Sequence, residues 1–158
     1  EFEKALEDES FGYVSKIIEN SKSMLKATVN KDVKIIEEIL HDIHNSEIPI
    51  LQYNDENSLS CVLTLAYLSA RDNYRVEREE KTGKGYADFT FHPRRKNDTA
   101  FIVELKKDEK PEIALKQIRS KEYVEKFKRE NMGKKILAVA ICYDSKEKEH
   151  HCLIEEID

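Results

Sequence analysis

No apolar stretch in this sequence approaches the roughly 18 residues that a bilayer-spanning helix needs. The first residues, Glu1-Phe2-Glu3, have neither the basic region nor the apolar core of a secretory signal. The three cysteines, Cys61, Cys142 and Cys152, are odd in number and lack C-x-x-C spacing, so neither a disulfide framework nor a structural zinc site is indicated. Together these absences predict a cytoplasmic chain with reduced thiols and no membrane contact. No G-x-x-x-x-G-K-[ST] segment occurs, so ATP binding is not expected of these residues. Positive charge is scarce as well. Lys and Arg number 27 against 32 Asp and Glu, a formal charge of −5, so a phosphate-bearing partner has to be held by a local basic surface. The chain does not open on Met, which predicts a segment of a longer polypeptide. Neither internal repeats nor low-complexity segments interrupt it.

What is present suits one compact core with at most an appended element. The 158 residues are 39% hydrophobic, enough for a core, and 37% charged, which predicts a well-solvated surface. Apolar residues recur at helical spacing over 11–27 and 31–43, as in Val33, Ile36, Ile39, Leu40 and Ile43. Residues 45–53, with Pro49 between two isoleucines, read as an extended connector. We therefore expect a helical N-terminal segment and linker over 1–50 and the main domain over 51–158. Asn54 or Asp55 can cap a helix reaching Asp72, with Leu59, Val62, Leu63, Ala66 and Ala70 on its buried stripe. A hairpin follows, with strands over 74–80 and 86–92 joined by a glycine-containing turn at 81–85. Ala100-Phe101-Ile102-Val103 is continuously apolar, the mark of a strand covered on both faces. A long helix is predicted from Pro111 to Asn131 and ended by Gly133, then a strand over 135–143 and a final one over 152–157. The reading is an α/β (α+β) fold with core order αβββαβ.

Charged residues at the end of an apolar strand are costly, and that cost singles out a constellation. Glu104 and Lys106 are two apart in a strand, so they share a face at the carboxyl end of the apolar run. Asp88 alternates with Phe89 and Phe91 and occupies the face of Thr90 and His92. Buried carboxylates persist when paired or bound to metal. If the two strands pair antiparallel, Asp88, Glu104 and the Leu105 carbonyl can converge on a hard cation such as Mg²⁺. Taken alone, Glu-x-Lys is a weak motif that reads more readily as a same-face ion pair at a strand end. The histidines His41 and His44, and His150 and His151 beside Cys152, lack the further ligands at fixed spacing that would complete a metal site.

The succession of motifs is more specific than any of its members. Glu56-Asn57, Gly83-Lys84-Gly85-Tyr86-Ala87-Asp88, Ile102-Val103-Glu104-Leu105-Lys106, and Ala114-Leu115-Lys116-Gln117-Ile118 followed by Lys121 and Tyr123 occur in order. This order resembles the PD-(D/E)XK nuclease superfamily. More narrowly, it is similar to the nuclease-like domain of unknown function found C-terminal to AAA-ATPase-like domains. The superfamily's usual proline before the aspartate is replaced here by Ala87. The resemblance implies a restriction-endonuclease-like mixed sheet flanked by helices, metal ligation by Asp88, Glu104 and the Leu105 carbonyl, and catalytic roles for Lys106, Glu56 and Gln117. It also implies Mg²⁺ or Mn²⁺ as cofactor, nucleic acid as partner with DNA ahead of RNA, and an upstream ATPase-like domain. Each auxiliary residue has a plainer alternative. Glu56 can complement a helix dipole in the first turn, and Gln117 can make an ordinary structural hydrogen bond.

Two rival readings stand beside metal-dependent phosphodiester hydrolysis. A catalytically inactive nuclease fold that binds nucleic acid or protein is favoured by the acidic total. A wholly helical adaptor conflicts with the apolar runs Phe101–Glu104 and Ile136–Cys142, which make poor amphipathic helices. Lys106, Lys107, Lys116, Arg119, Lys121, Lys126, Lys128 and Arg129, with Arg94, Arg95 and Lys96, can supply a local phosphate-binding surface. Interspersed Asp108, Glu109, Glu112, Glu122 and Glu125 read most of it as a solvated helix face.

Overall fold

The computed structural model describes residues 2–51, 56–79, 88–120 and 122–158. Helices α1 (Phe2–Val29), α2 (Val33–Leu51) and α3 (Glu56–Ala66) precede strand β1 (Tyr74–Glu79). Strands β2 (Asp88–Pro93) and β3 (Ala100–Lys107) follow, then helices α4 (Pro111–Arg119) and α5 (Glu122–Glu130), and strands β4 (Ile136–Asp144) and β5 (Glu149–Ile157). Among the described residues the strands form one mixed sheet in the order β1-β2-β3-β4-β5. Only β3 and β4 are parallel, because α4 and α5 carry the chain back across one face between them. No helix among the described residues is long and apolar enough to cross a membrane.

Alternation along the strands splits the interior into two layers. Phe89, Phe91, Phe101, Val103, Leu105, Leu137, Val139 and Ile141 pack against α1, α2 and α3. Ala100, Ile102, Ala138, Ala140 and Cys142 project the other way, onto Ala114, Leu115 and Ile118 of α4 and Val124 and Phe127 of α5. A strand buried on both faces has to be apolar throughout, which accounts for the unbroken run at Ala100–Val103. The first layer runs from Met24 to Cys152, so α1 and α2 share a core with the sheet.

Three predicted features differ. The connector expected from residue 45 is helical through Leu51, Pro49 included. That proline lies in the last turn, where its missing N–H forgoes one intrahelical bond and only two residues of the helix follow. The single helix expected over 111–131 is two. Ser120 Oγ donates to Gln117 O at 2.9 Å and the Ser120 N–H to the same carbonyl at 3.2 Å, a local alternative to helical bonding that ends α4. The α-helix expected to reach Asp72 ends at Ala66 and continues as a 3₁₀ turn over Leu68–Asp72. The predicted turn at 81–85 lies outside the described residues.

Candidate active site

The carboxyl end of β3 concentrates the charge. Glu104 is completely buried, and Lys106 Nζ lies 3.2 Å from its Oε1. The small residue Ala140 stands opposite Glu104 on β4, and Cys142 opposite Lys106, so the neighbouring strand leaves room for both long side chains. Removing one partner of a buried ion pair typically costs about 3–5 kcal/mol, because the other charge is stranded.

Beyond Lys107 the chain turns sharply at Asp108, whose φ of 54° lies in the left-handed region that Asp tolerates better than most residues. The turn is clamped. The Asp108 N–H donates to Tyr143 O at 2.9 Å. Its carboxylate accepts from the Ser145 N–H and Oγ at 2.8 and 2.7 Å, bonds that hold its pKa below the usual carboxylate range. The result brings Glu109 back beside the strand end, with Oε2 3.9 Å from Lys106 Nζ. Glu109 Oε1 in turn accepts from Gln117 Nε2 of α4 at 3.2 Å. Glu104, Lys106, Glu109 and Gln117 thus form one continuous polar chain from the sheet to the helix. Glu109 was missed by sequence reasoning, which placed it on a solvated face. The signal was its i, i+3 relation to Lys106 across a residue type that accepts positive φ.

Asp88 occupies the register position directly across from Glu104 on the antiparallel neighbour β2. Directly opposed positions of an antiparallel pair share a face. Its side chain lies outside the described residues, as does that of Glu56. Helix α3, which Glu56 opens, packs on the layer opposite to Ile102 and α4. Leu105 is buried in that same opposite layer.

Other titratable groups on the Glu104 face are engaged structurally. Burial, followed by Glu109 and Glu104, pushes the Cys142 thiol up to about 12, so it is no nucleophile near neutral pH. His92 is lowered chiefly by burial and next by Arg75. It packs edge-on to Phe127 with ring centroids 4.7 Å apart, and the Asn131 amide lies 3.1 Å from its Nδ1. Glu130 Oε2 lies 3.5 Å from the same Nδ1 and Glu77 Oε2 3.7 Å from Nε2, so this buried ring is held by structural contacts. Much of the basic character of α4 and α5 is paired on the surface: Lys128 with Glu125 at 3.1 Å, Lys126 with Glu130 at 3.8 Å, and Arg119 with Glu155.

A sequence model described as the PD-(D/E)XK nuclease superfamily matches residues 54–151. The chain belongs to this superfamily. The five-stranded mixed sheet flanked by helices accords with the restriction-endonuclease-like fold of PD-(D/E)XK proteins. PD-(D/E)XK nucleases generally depend on a divalent metal, and their fold suggests nucleic acid as the partner. A search of the curated proteins found no match.

Proposed function

We propose that residues 51–158 hydrolyse phosphodiester bonds of nucleic acid with a divalent cation, Mg²⁺ or Mn²⁺, bound by Asp88, Glu104 and the Leu105 carbonyl. The observation that carries this reading is the buried Glu104–Lys106 pair at the end of β3, with Asp88 in register on the next strand. The donor set fits such an ion: carboxylate and carbonyl oxygens are what hard divalent cations take. When bound, the cation polarises the scissile phosphate and acidifies a water.

The protein's own groups do the rest. Lys106 carries a fixed positive charge at the place where negative charge builds on phosphorus, and its ammonium orients the attacking water. Glu109 and Gln117 position that ammonium through the chain of contacts from α4. Glu56 is assigned an auxiliary acidic role from the start of α3. The N-terminal helices, residues 1–50, cover the sheet and link the domain to an upstream ATPase-like module. DNA is the substrate to test ahead of RNA, and the cytoplasm the expected location.

Cleavage of single- and double-stranded DNA with Mg²⁺ or Mn²⁺ tests the reading. Lys106→Ala is expected to lower the rate by about 10²–10³-fold with the Mg²⁺ affinity kept, and Asp88→Asn to abolish Mg²⁺ binding at the β3 site. Absence of cleavage by the intact chain, or equal rates for parent and Lys106→Ala, overturns it. The second reading, a non-cleaving binding module on the same fold, is favoured by the net charge of −5. In that case Asp88→Asn leaves divalent-ion affinity unchanged.

A further inference from the structure

The β4–β5 hairpin carries a second set of metal-ligating side chains. One ligand atom each from Asp144, Glu147 and His151 lies within 4.8 Å of the others. Asp144 ends β4, Glu147 belongs to the turn and His151 lies in β5 opposite Cys142. The scaffold beneath them is closed by the backbone. Asp144 Oδ1 accepts from the N–H groups of Lys146 and Glu147 at 2.9 and 3.0 Å. Asp108 grips the same turn from the β3 side through Ser145.

The donors decide the class of ion. One imidazole nitrogen with two carboxylates suits a borderline transition metal such as Zn²⁺, whereas Mg²⁺ prefers oxygen ligands alone. Metal bonds of about 2.0–2.2 Å at tetrahedral angles put ligand atoms about 3.4 Å apart, so donors already grouped within 4.8 Å can close on an ion by side-chain rotation. Three protein ligands leave a coordination position for water or an anionic oxygen.

Register separates this group from the β3 carboxylates. Lys106 pairs with Cys142, and Cys142 with His151, so Lys106 and His151 stand two strands apart. At roughly 4.8 Å per strand that is about 10 Å, while cations sharing one scissile phosphate sit about 3.5–4 Å apart. Asp144 and His151 line an open cleft of about 570 Å³ that also includes Asp108 and Glu109. The two charged regions therefore border a common cleft without forming one centre.

We propose that Asp144, Glu147 and His151 form a transition-metal site on the β4–β5 hairpin, separate from the β3 site and facing the cleft that reaches Glu109. This inference does not depend on cleavage activity. The test uses the full chain carrying Asp88→Asn, stripped with chelator and titrated with Zn²⁺ by calorimetry. Co²⁺ absorption reports the ligand set. One equivalent is expected to bind, with affinity reduced at least about tenfold by adding His151→Ala or Glu147→Gln. Glu147 is exposed and His151 half-buried on the hairpin, and circular dichroism checks that each variant is folded. No saturable Zn²⁺ binding in the Asp88→Asn protein, or an affinity that either hairpin substitution leaves unchanged, overturns the proposal.

Discussion

On one face of the sheet Phe91 stacks on Phe101 with centroids 4.3 Å apart, and Tyr67 and Tyr74 close around them. On the other face Ala100, Ala138 and Ala140 meet Ala114 of α4. Large rings on the first face bury much apolar area and lock side chains against α1–α3. Small residues on the second let α4 approach closely and leave space at the strand ends for Glu104, Lys106 and Glu109. One sheet thus divides its labour. Stability is concentrated under the N-terminal helices, and the polar chain that reaches Gln117 lies under α4.

The largest expected effect tests the aromatic face. Phe101→Ala is expected to lower unfolding free energy by about 3–5 kcal/mol, seen as a reduced urea midpoint, while divalent-ion affinity of the folded protein stays at the parent value. A parallel loss of metal affinity would break the division between faces.

A smaller effect is expected from His150, which also belongs to the first face. It is 5.0 Å from the Tyr143 ring and 5.2 Å from that of His44, centroid to centroid. Burial first, then His44, His41 and His151, lowers its pKa from 6.5 to about 3. The unfolded chain therefore takes up a proton that the folded one refuses. The stabilising contribution is complete above about pH 6.5 and falls as the pH drops towards 3, by up to about 1.4 kcal/mol per pH unit. Urea midpoints between pH 7 and 5 check this, and His150→Phe should flatten the slope. A slope unchanged in that variant assigns the pH response elsewhere.

The mildest change probes the second face. Glu109→Gln keeps an oxygen acceptor for Gln117 but removes the charge near Lys106. We expect about a tenfold loss of turnover, roughly 1.4 kcal/mol, with the urea midpoint unaltered. A stability loss comparable to that of Phe101→Ala would mean that Glu109 supports the fold rather than the site.

Much of this arrangement was legible beforehand, for a physical reason. The hydrophobic period of 2 in β2 and the unbroken apolar run of β3 follow from how many faces each strand buries, and burial is written directly into residue type. Glu104 and Lys106 stood out because charge at the end of such a run is costly. The break at Ser120 was not legible, since it depends on a side chain competing for one carbonyl, nor was the helical passage through Pro49. Glu109 and the grouping of Asp144 with His151 were hidden for a different reason. Both rest on backbone turns, at Asp108 and over residues 145–148, that bring together residues whose types alone suggest ordinary solvated surface.

Residue order thus sufficed for the αβββαβ succession, the alternation of β2 and the charged end of β3, because local periodicity and the cost of burying charge act within a few residues. The register that sets Asp88 against Glu104, the return of Glu109 to Lys106 and the placing of His151 two strands from the lysine required the assembled sheet. Pairing between strands and the clamp at Asp108 are relations between distant residues, and their energies exist once the chain has closed on itself.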